Sequence, residues 1–216
     1  MIKLYYSPGA CSLAPHIALE ETGADFETQR VAIAEGDNSK PDYLAVNPHG
    51  FVPALEVDGE VITENVAVLT YIASRFPEAR LLPFERPLAL ARALSQMAFL
   101  SSSVHIAYAQ VWRPHRFTPD ESVHPQIVAG GRDRILLFYG EIDERLAGSD
   151  WLAGDEMTLA DPYVLVFFRW GNRIGLDMSA WPNWAAHSRR MLDRQAVQRA
   201  LAREDLTPAE FLPKGG

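Results

Sequence analysis

Strand signals in this chain stop at Pro77 and do not return, and that one switch limits the folds open to it. Before Pro77 the sequence alternates short β-prone and helix-prone runs. Ile2 to Tyr6 is a compact β-prone run closed by Ser7-Pro8-Gly9. A helix is expected from Leu13, through Ile17 and Leu19, with Gly23 as its C-cap. Phe26 to Ile33 reads as a second strand, followed by a polar loop from Glu35 to Pro41. Ala54 to Val57 and Val61 to Thr63 flank Asp58-Gly59, the signature of a tight hairpin. A helix from Glu64 or Asn65 carries Val66, Leu69, Ile72 and Phe76 before Pro77 stops it. The order β-α-β, loop, β-β-α predicts a mixed four-stranded sheet, because a right-handed βαβ unit is extended by a hairpin.

After Pro77 every periodic stretch is helical. Residues 79–86 hold Pro83 and read as a linker between a first domain, 1–78, and a second, 87–216. One stripe runs Leu90, Leu94, Met97, Val104, Tyr108, Val111, with Ser101 filling its gap. A second runs Val128, Ile135, Phe138, Ile142, Leu146 to Gly148. A third runs Leu159, Tyr163, Val166, Phe167, Trp170, Ile174, opened by Thr158-Leu-Ala-Asp161, a variant capping box. Shorter helices fit Trp184–Leu192 and Ala196–Ala202, and the tail from Thr207 to Gly216 reads as irregular.

Charge and cysteine usage narrow the function. The formal net charge is −8 and no basic run occurs, which argues against nucleic acid or an anionic membrane as partner. No stretch approaches the roughly 20 apolar residues of a membrane span. The start reads as no secretory leader, and a single cysteine closes no internal disulfide, so a cytoplasmic setting is expected. The six histidines have no paired metal-ligand spacing, so no metal is expected.

Four groups of residues could carry chemistry. Cys11 follows the first strand and precedes Ser12, read as N-cap of the helix from Leu13. Unpaired N–H groups and a helix dipole there favour thiolate, so a pKa below the usual value of about 8.5 is expected; a buried, inert thiol is the alternative. Cys11-Ser-Leu-Ala14 lacks the second cysteine of a dithiol couple. Val52-Pro53, after Phe51, places a proline at the start of a strand, where a turn or a sheet edge must accommodate it. Glu64 and Asn65 open the third helix: Asn65 is a plain N-cap, or it joins the helix N-terminus in holding a carboxylate while Glu64 meets an ammonium group. On the long helix, Ala98, Ser102, His105, Ala109 and Trp112 share a face that would border a groove; otherwise His105 is a solvated helix residue.

Together these residues resemble the bacterial beta class of glutathione S-transferases. The motifs are Tyr5-Tyr-Ser-Pro-Gly-Ala-Cys-Ser-Leu-Ala-Pro-His16, Asn47-Pro-His-Gly-Phe-Val-Pro-Ala-Leu55, Thr63-Glu-Asn-Val-Ala-Val68, Val104-His105 and Thr158-Leu-Ala-Asp161, in order over residues 1 to about 200. The resemblance implies an α/β thioredoxin-like N-terminal domain, an all-α C-terminal domain, a cis Val52-Pro53 bond, a homodimer and glutathione as co-substrate. It implies catalytic roles for Cys11 and His105. Glutathione is expected on Cys11, Phe51, Val52, Pro53, Glu64, Asn65, Ser102, Ser103 and His105. An apolar electrophile is expected among Tyr6, Tyr108, Trp112 and Trp170.

The sequence also departs from that pattern. Asn65 replaces a serine, and Ala34-Glu35-Gly36 stands where a lysine reaches the glycyl carboxylate, leaving Lys40 and His49 as candidates for that contact. Ala98, Ser103 and Ile106 replace an asparagine, an acid and a lysine. The alternatives to a transferase are a glutathione-dependent disulfide reductase using Cys11, a non-catalytic ligand carrier, and a Cys-His hydrolase.

Overall fold

The computed structural model describes residues 1–214. Four strands, β1 (Ile2–Tyr6), β2 (Glu27–Arg30), β3 (Ala54–Val57) and β4 (Glu60–Thr63), form one sheet in the order β2-β1-β3-β4. β2 runs parallel to β1, whereas β3 is antiparallel to both β1 and β4. Leu4, Tyr5 and Tyr6 of the central strand are all buried because both faces of the sheet are covered. Leu4 and Tyr6 join the main core, and Tyr5 joins a small cluster with Val31, Tyr43, Val52 and Ala54. β2 is shorter than expected. Its Glu-Thr-Gln-Arg side chains are all exposed at the sheet edge, where polar side chains discourage pairing with another chain. The β3–β4 turn places Asp58 at φ 51° and Gly59 at φ 90°, as its sequence requires.

Helices α1 (Leu13–Thr22) and α3 (Asn65–Arg75) pack together through that main core, and a short α2 (Pro41–Leu44) precedes the Phe51 loop. α1 ends where expected, on Gly23 in the left-handed conformation at φ 67°. The remainder is helical: α4 (Pro87–Phe99), α5 (His105–Trp112), α6 (His124–Ala147), α7 (Ala160–Arg173), α8 (Pro182–Leu192) and α9 (Gln195–Arg203). The result is a thioredoxin-like sheet domain followed by a helical domain.

The linker and the tail are both more ordered than their composition implies, and the tail expectation needs correction. The 79–86 linker is packed down, since Leu81 and Leu82 are 2% and 4% exposed and the Leu81 carbonyl accepts from the Leu159 N–H. The tail is not irregular as far as it is described. A 3₁₀ turn, Pro208–Phe211, buries Phe211, and Asn172 Nδ2 donates to the carbonyls of Glu210 and Leu212. Residues 215 and 216 lie outside the described residues. The α7 start forms half of the box as read: Asp161 Oδ2 accepts from the Thr158 N–H at 2.7 Å, but Thr158 Oγ1 accepts from the Ala160 N–H instead of that of Asp161. Asp161 Oδ1 meanwhile accepts from the Leu152 N–H and pairs with His187 Nε2 at 3.0 Å, so one buried carboxyl ties three segments together.

Candidate active site

The loop between β1 and α1 is held from both sides. Ser12 Oγ accepts from the Ser7 N–H and donates to the Ser7 carbonyl, so it closes the loop on itself rather than capping α1. Ser12 has helical φ and ψ, which leaves its side chain away from the N-cap geometry assumed from sequence. Gly9 is fixed by the helical domain. Its N–H donates to Glu204 Oε2 at 2.8 Å, and its carbonyl accepts from Arg169 Nη1 and Trp170 Nε1. It has φ 63°, and a Cβ there would lie 2.3 Å from the Arg169 guanidinium, so only glycine fits. α1 itself lies against α7 and α9.

Cys11 is 6% exposed at the start of this helix, and its Sγ donates to the Val52 carbonyl at 3.2 Å. The N–H groups of Cys11 and Ser12 face the sulfur, as the helix N-terminus argument requires. Burial outweighs them and pushes the thiol pKa up to about 12. The expectation of a lowered pKa is therefore corrected: in the free protein Cys11 is a protonated hydrogen-bond donor. Desolvation of a thiolate costs more here than the few N–H dipoles return.

Val52-Pro53 is cis, and the Val52 N–H has no partner among the described residues. Asn65 is the first residue of α3, not its N-cap. The capping position belongs to Glu64, held at φ 67°, a conformation uncommon outside glycine. Asn65 Nδ2 instead donates to the Cys11 carbonyl at 3.2 Å, joining the two helix N-termini. Asn65 Oδ1 and the Tyr163 hydroxyl are both buried, and neither has a hydrogen-bond partner among the described residues. Both residues line the cleft that opens over Cys11.

Between α4 and α5 the chain stays helical but widens to a π turn, Leu100–Val104, in which the His105 N–H reaches back to the Leu100 carbonyl. Such a turn holds one extra residue and rotates the helix beyond it. The predicted stripe therefore changes phase. Ser101, His105, Ile106, Ala109 and Trp112 line the cleft, whereas Ala98, Ser102 and Ser103 do not, and Ser102 Oγ turns to the Ala98 carbonyl. His105 is half-buried, with its ring edge-on to Trp170 and Phe167. Burial, then the charges of Arg113 and Arg116, pull its pKa down to about 4.

The cleft has a volume of about 740 Å³. Cys11, Phe51, Val52, Pro53, Glu64, Asn65, His105, Trp112 and Trp170 all line it, so most of the expected residues converge from well-separated segments. Tyr6 and Tyr108 stay outside. Tyr6 points the other way from the sheet, towards His16, with its hydroxyl near the Arg203 carbonyl, and Tyr108 is wholly buried behind Trp112 and Trp170 against Tyr139. Lys40 pairs with Asp37, and His49 stacks on Phe51; neither lines the cleft. Sequence reading missed Tyr163, Arg113, Arg116 and Arg173. Tyr163 stands seven residues before Trp170, on the same helical face, which is the signal that could have marked it. Among the described residues, no group of three or more His, Cys, Asp and Glu side chains could hold a metal ion.

The family models for the N-terminal and C-terminal domains of glutathione S-transferase match residues 1–74 and 118–195. The chain is 34% identical over 211 residues to glutathione S-transferase GstA of Escherichia coli O157:H7, covering 95% of this chain and all of that protein. Among solved structures it is similar to a glutathione transferase homologue from Sulfitobacter with bound glutathione, at 32% identity and a TM-score of 0.89, covering 94% of this chain and 98% of the other. It is also similar to the beta-class glutathione S-transferase of Sphingomonas chungbukensis, at 40% identity and a TM-score of 0.84, covering 95% and 100%. With a thioredoxin-like sheet, a helical domain and a cleft over Cys11 in a chain that these relatives match nearly end to end, the protein belongs to the glutathione S-transferase family, in its bacterial beta-class branch.

Proposed function

We propose that the protein transfers the thiolate of glutathione to an electrophilic carbon of a small molecule bound in the cleft. The carrying observation is the convergence of Cys11, the free Val52 N–H and the Glu64–Asn65 start of α3 around one cavity. Glutathione lies extended along Val52, pairing its backbone with the free N–H. Its γ-glutamyl carboxylate meets the α3 N-terminus and its ammonium group meets Glu64. Its sulfur approaches Cys11. A neutral Cys11 thiol can turn from the Val52 carbonyl and donate to the glutathione sulfur, stabilising it as thiolate, with the positive end of α1 behind it.

His105 faces the same space as a neutral imidazole. With a pKa near 4 it is a weak proton acceptor. Taking a proton from a thiol of pKa about 8.5 would be uphill by roughly 6 kcal/mol. Its role is to orient the thiol or a water, and the thiol proton leaves to solvent. The thiolate then forms the new S–C bond as the leaving group departs with its electron pair. Trp112 and Trp170 supply the flat apolar wall for the electrophile.

The exposed Leu88 of α4 and Leu136 and Leu137 of α6 are apolar surface that a second copy would cover, and the working form is a homodimer. No described helix is long and apolar enough to cross a membrane, and the proposed location is the cytoplasm. The test is steady-state conjugation of glutathione to an activated aryl chloride. Turnover that falls when glutathione is replaced by a simple thiol supports the reading. Equal rates with both thiols, or none with any electrophile, overturns it.

A further inference from the structure

The lining of the cleft carries three arginines, Arg113, Arg116 and Arg173. Among the described residues none of them reaches a carboxylate, whereas Arg169, Arg190, Arg194 and Arg199 each do. Other arginines among the described residues, Arg92 and Arg134 for instance, also stand without a carboxylate, but away from the cleft; what sets these three apart is that they line one cavity. Among the described residues, Glu64 is the single carboxylate in the lining. The arginines also stand among aromatic rings. Arg116 lies over Phe51 at 5.0 Å from the ring centre, and Arg173 over Trp112 at 6.0 Å. Trp112 in turn meets Trp170 edge-on at 4.9 Å, so charge and flat apolar surface occupy one wall.

Like charges gathered without counter-charge repel one another. That repulsion is visible at His105 and Arg116, both of which are disfavoured in their charged forms by burial and then by neighbouring arginines. A bound anion relieves it, and guanidinium groups take carboxylates in paired hydrogen bonds. Glutathione accounts for part of this demand through its glycyl carboxylate, for which Arg116 above Phe51 is well placed. One carboxylate leaves Arg113 and Arg173, on the Trp112 side, without a partner.

Resting on the transferase reading above, we propose that the electrophile carries an anionic group, a carboxylate or its equivalent, held by Arg113 and Arg173 while its apolar body lies on Trp112 and Trp170. This refines the mostly apolar electrophile expected from sequence. The site selects aromatic or unsaturated acids with an electrophilic carbon.

A matched pair of electrophiles tests it: a chlorodinitrobenzoate and its neutral carboxamide, each rate divided by its uncatalysed reaction with glutathione. The benzoate should be preferred in kcat/KM by about tenfold or more, as expected for a charge-assisted pair, and the preference should shrink with added salt. Arg173→Gln and Arg113→Gln should each move the ratio towards one. A ratio of one in the wild-type protein, or variants that raise the KM for glutathione equally with both electrophiles, would overturn the proposal; the latter assigns the arginines to glutathione itself. Calorimetric binding of the unreactive dinitrobenzoate and dinitrobenzamide separates this from the transferase reading. Selective benzoate binding without turnover sinks the transferase and keeps the anion site. Turnover with equal binding of the two does the reverse.

Discussion

Glu204 is the residue whose removal should cost most for its distance in sequence from the site it supports. It closes α9, is 1% exposed, and accepts from the Gly9 N–H at 2.8 Å with one oxygen while pairing with His16 Nδ1 at 2.8 Å through the other. Replacing it with alanine leaves two buried polar partners without an acceptor. At about 1–3 kcal/mol for each orphaned group, the loss should be near 4 kcal/mol. For a chain of this length that corresponds to a fall in melting temperature of roughly 10–15 °C. Glu204→Gln keeps the shape and one acceptor, so about half of the loss should return. Urea unfolding monitored by circular dichroism reads the difference as a shift in midpoint at constant slope. Because the Gly9 loop leads directly to Cys11, KM for glutathione should rise in the alanine variant even well below its melting temperature. A loss under 1 kcal/mol would mean that the strut adds nothing beyond what water can replace, and that Gly9 is held by Arg169 and Trp170 alone.

Three further outcomes are expected at the site. Alkylation of Cys11 should be slow and have a midpoint above pH 10, since burial raises its pKa to about 12; a midpoint below about 8.5 would show that the helix N-terminus prevails. His105 has its pKa lowered to about 4, so the neutral imidazole is favoured in the fold. Its contribution to stability is complete above about pH 6.5 and declines as the pH falls through that value towards 4, and the rate should show no limb near 6.5. His105→Asn should keep most of the turnover while His105→Ala loses about tenfold; a limb near pH 6.5 that vanishes in the asparagine variant would restore base catalysis. Asn65→Ala removes the bond to the Cys11 carbonyl, costing about 1 kcal/mol, and should weaken glutathione binding; calorimetry showing unchanged affinity would reduce Asn65 to a structural tie.

What the sequence determined by itself is local. The strand at Ile2–Tyr6, the Asp58-Gly59 turn, the Gly23 cap and the Thr158–Asp161 box depend on neighbours within a few residues, so spacing and turn chemistry suffice to read them. The motif residues Cys11, Val52, Pro53, Glu64 and Asn65 were legible for the same reason, each standing at the end of an element. Tertiary structure decided the rest. A π turn of Leu100–Val104 changed the phase of the stripe through His105, excluding Ser102 and Ser103, because an added residue in a turn leaves no mark in apolar spacing. Tyr6 and Tyr108 were assigned to the cleft, yet which way a large side chain points depends on what packs behind it. The state of Cys11 turned on burial, which no local pattern encodes: the same helix N-terminus favours thiolate in water and loses to desolvation in a core assembled from β1, α1 and the Val52 loop. The three arginines came last, since Arg113 and Arg116 sit on one turn and Arg173 some sixty residues on. Only folding brings them into the lining of one cleft.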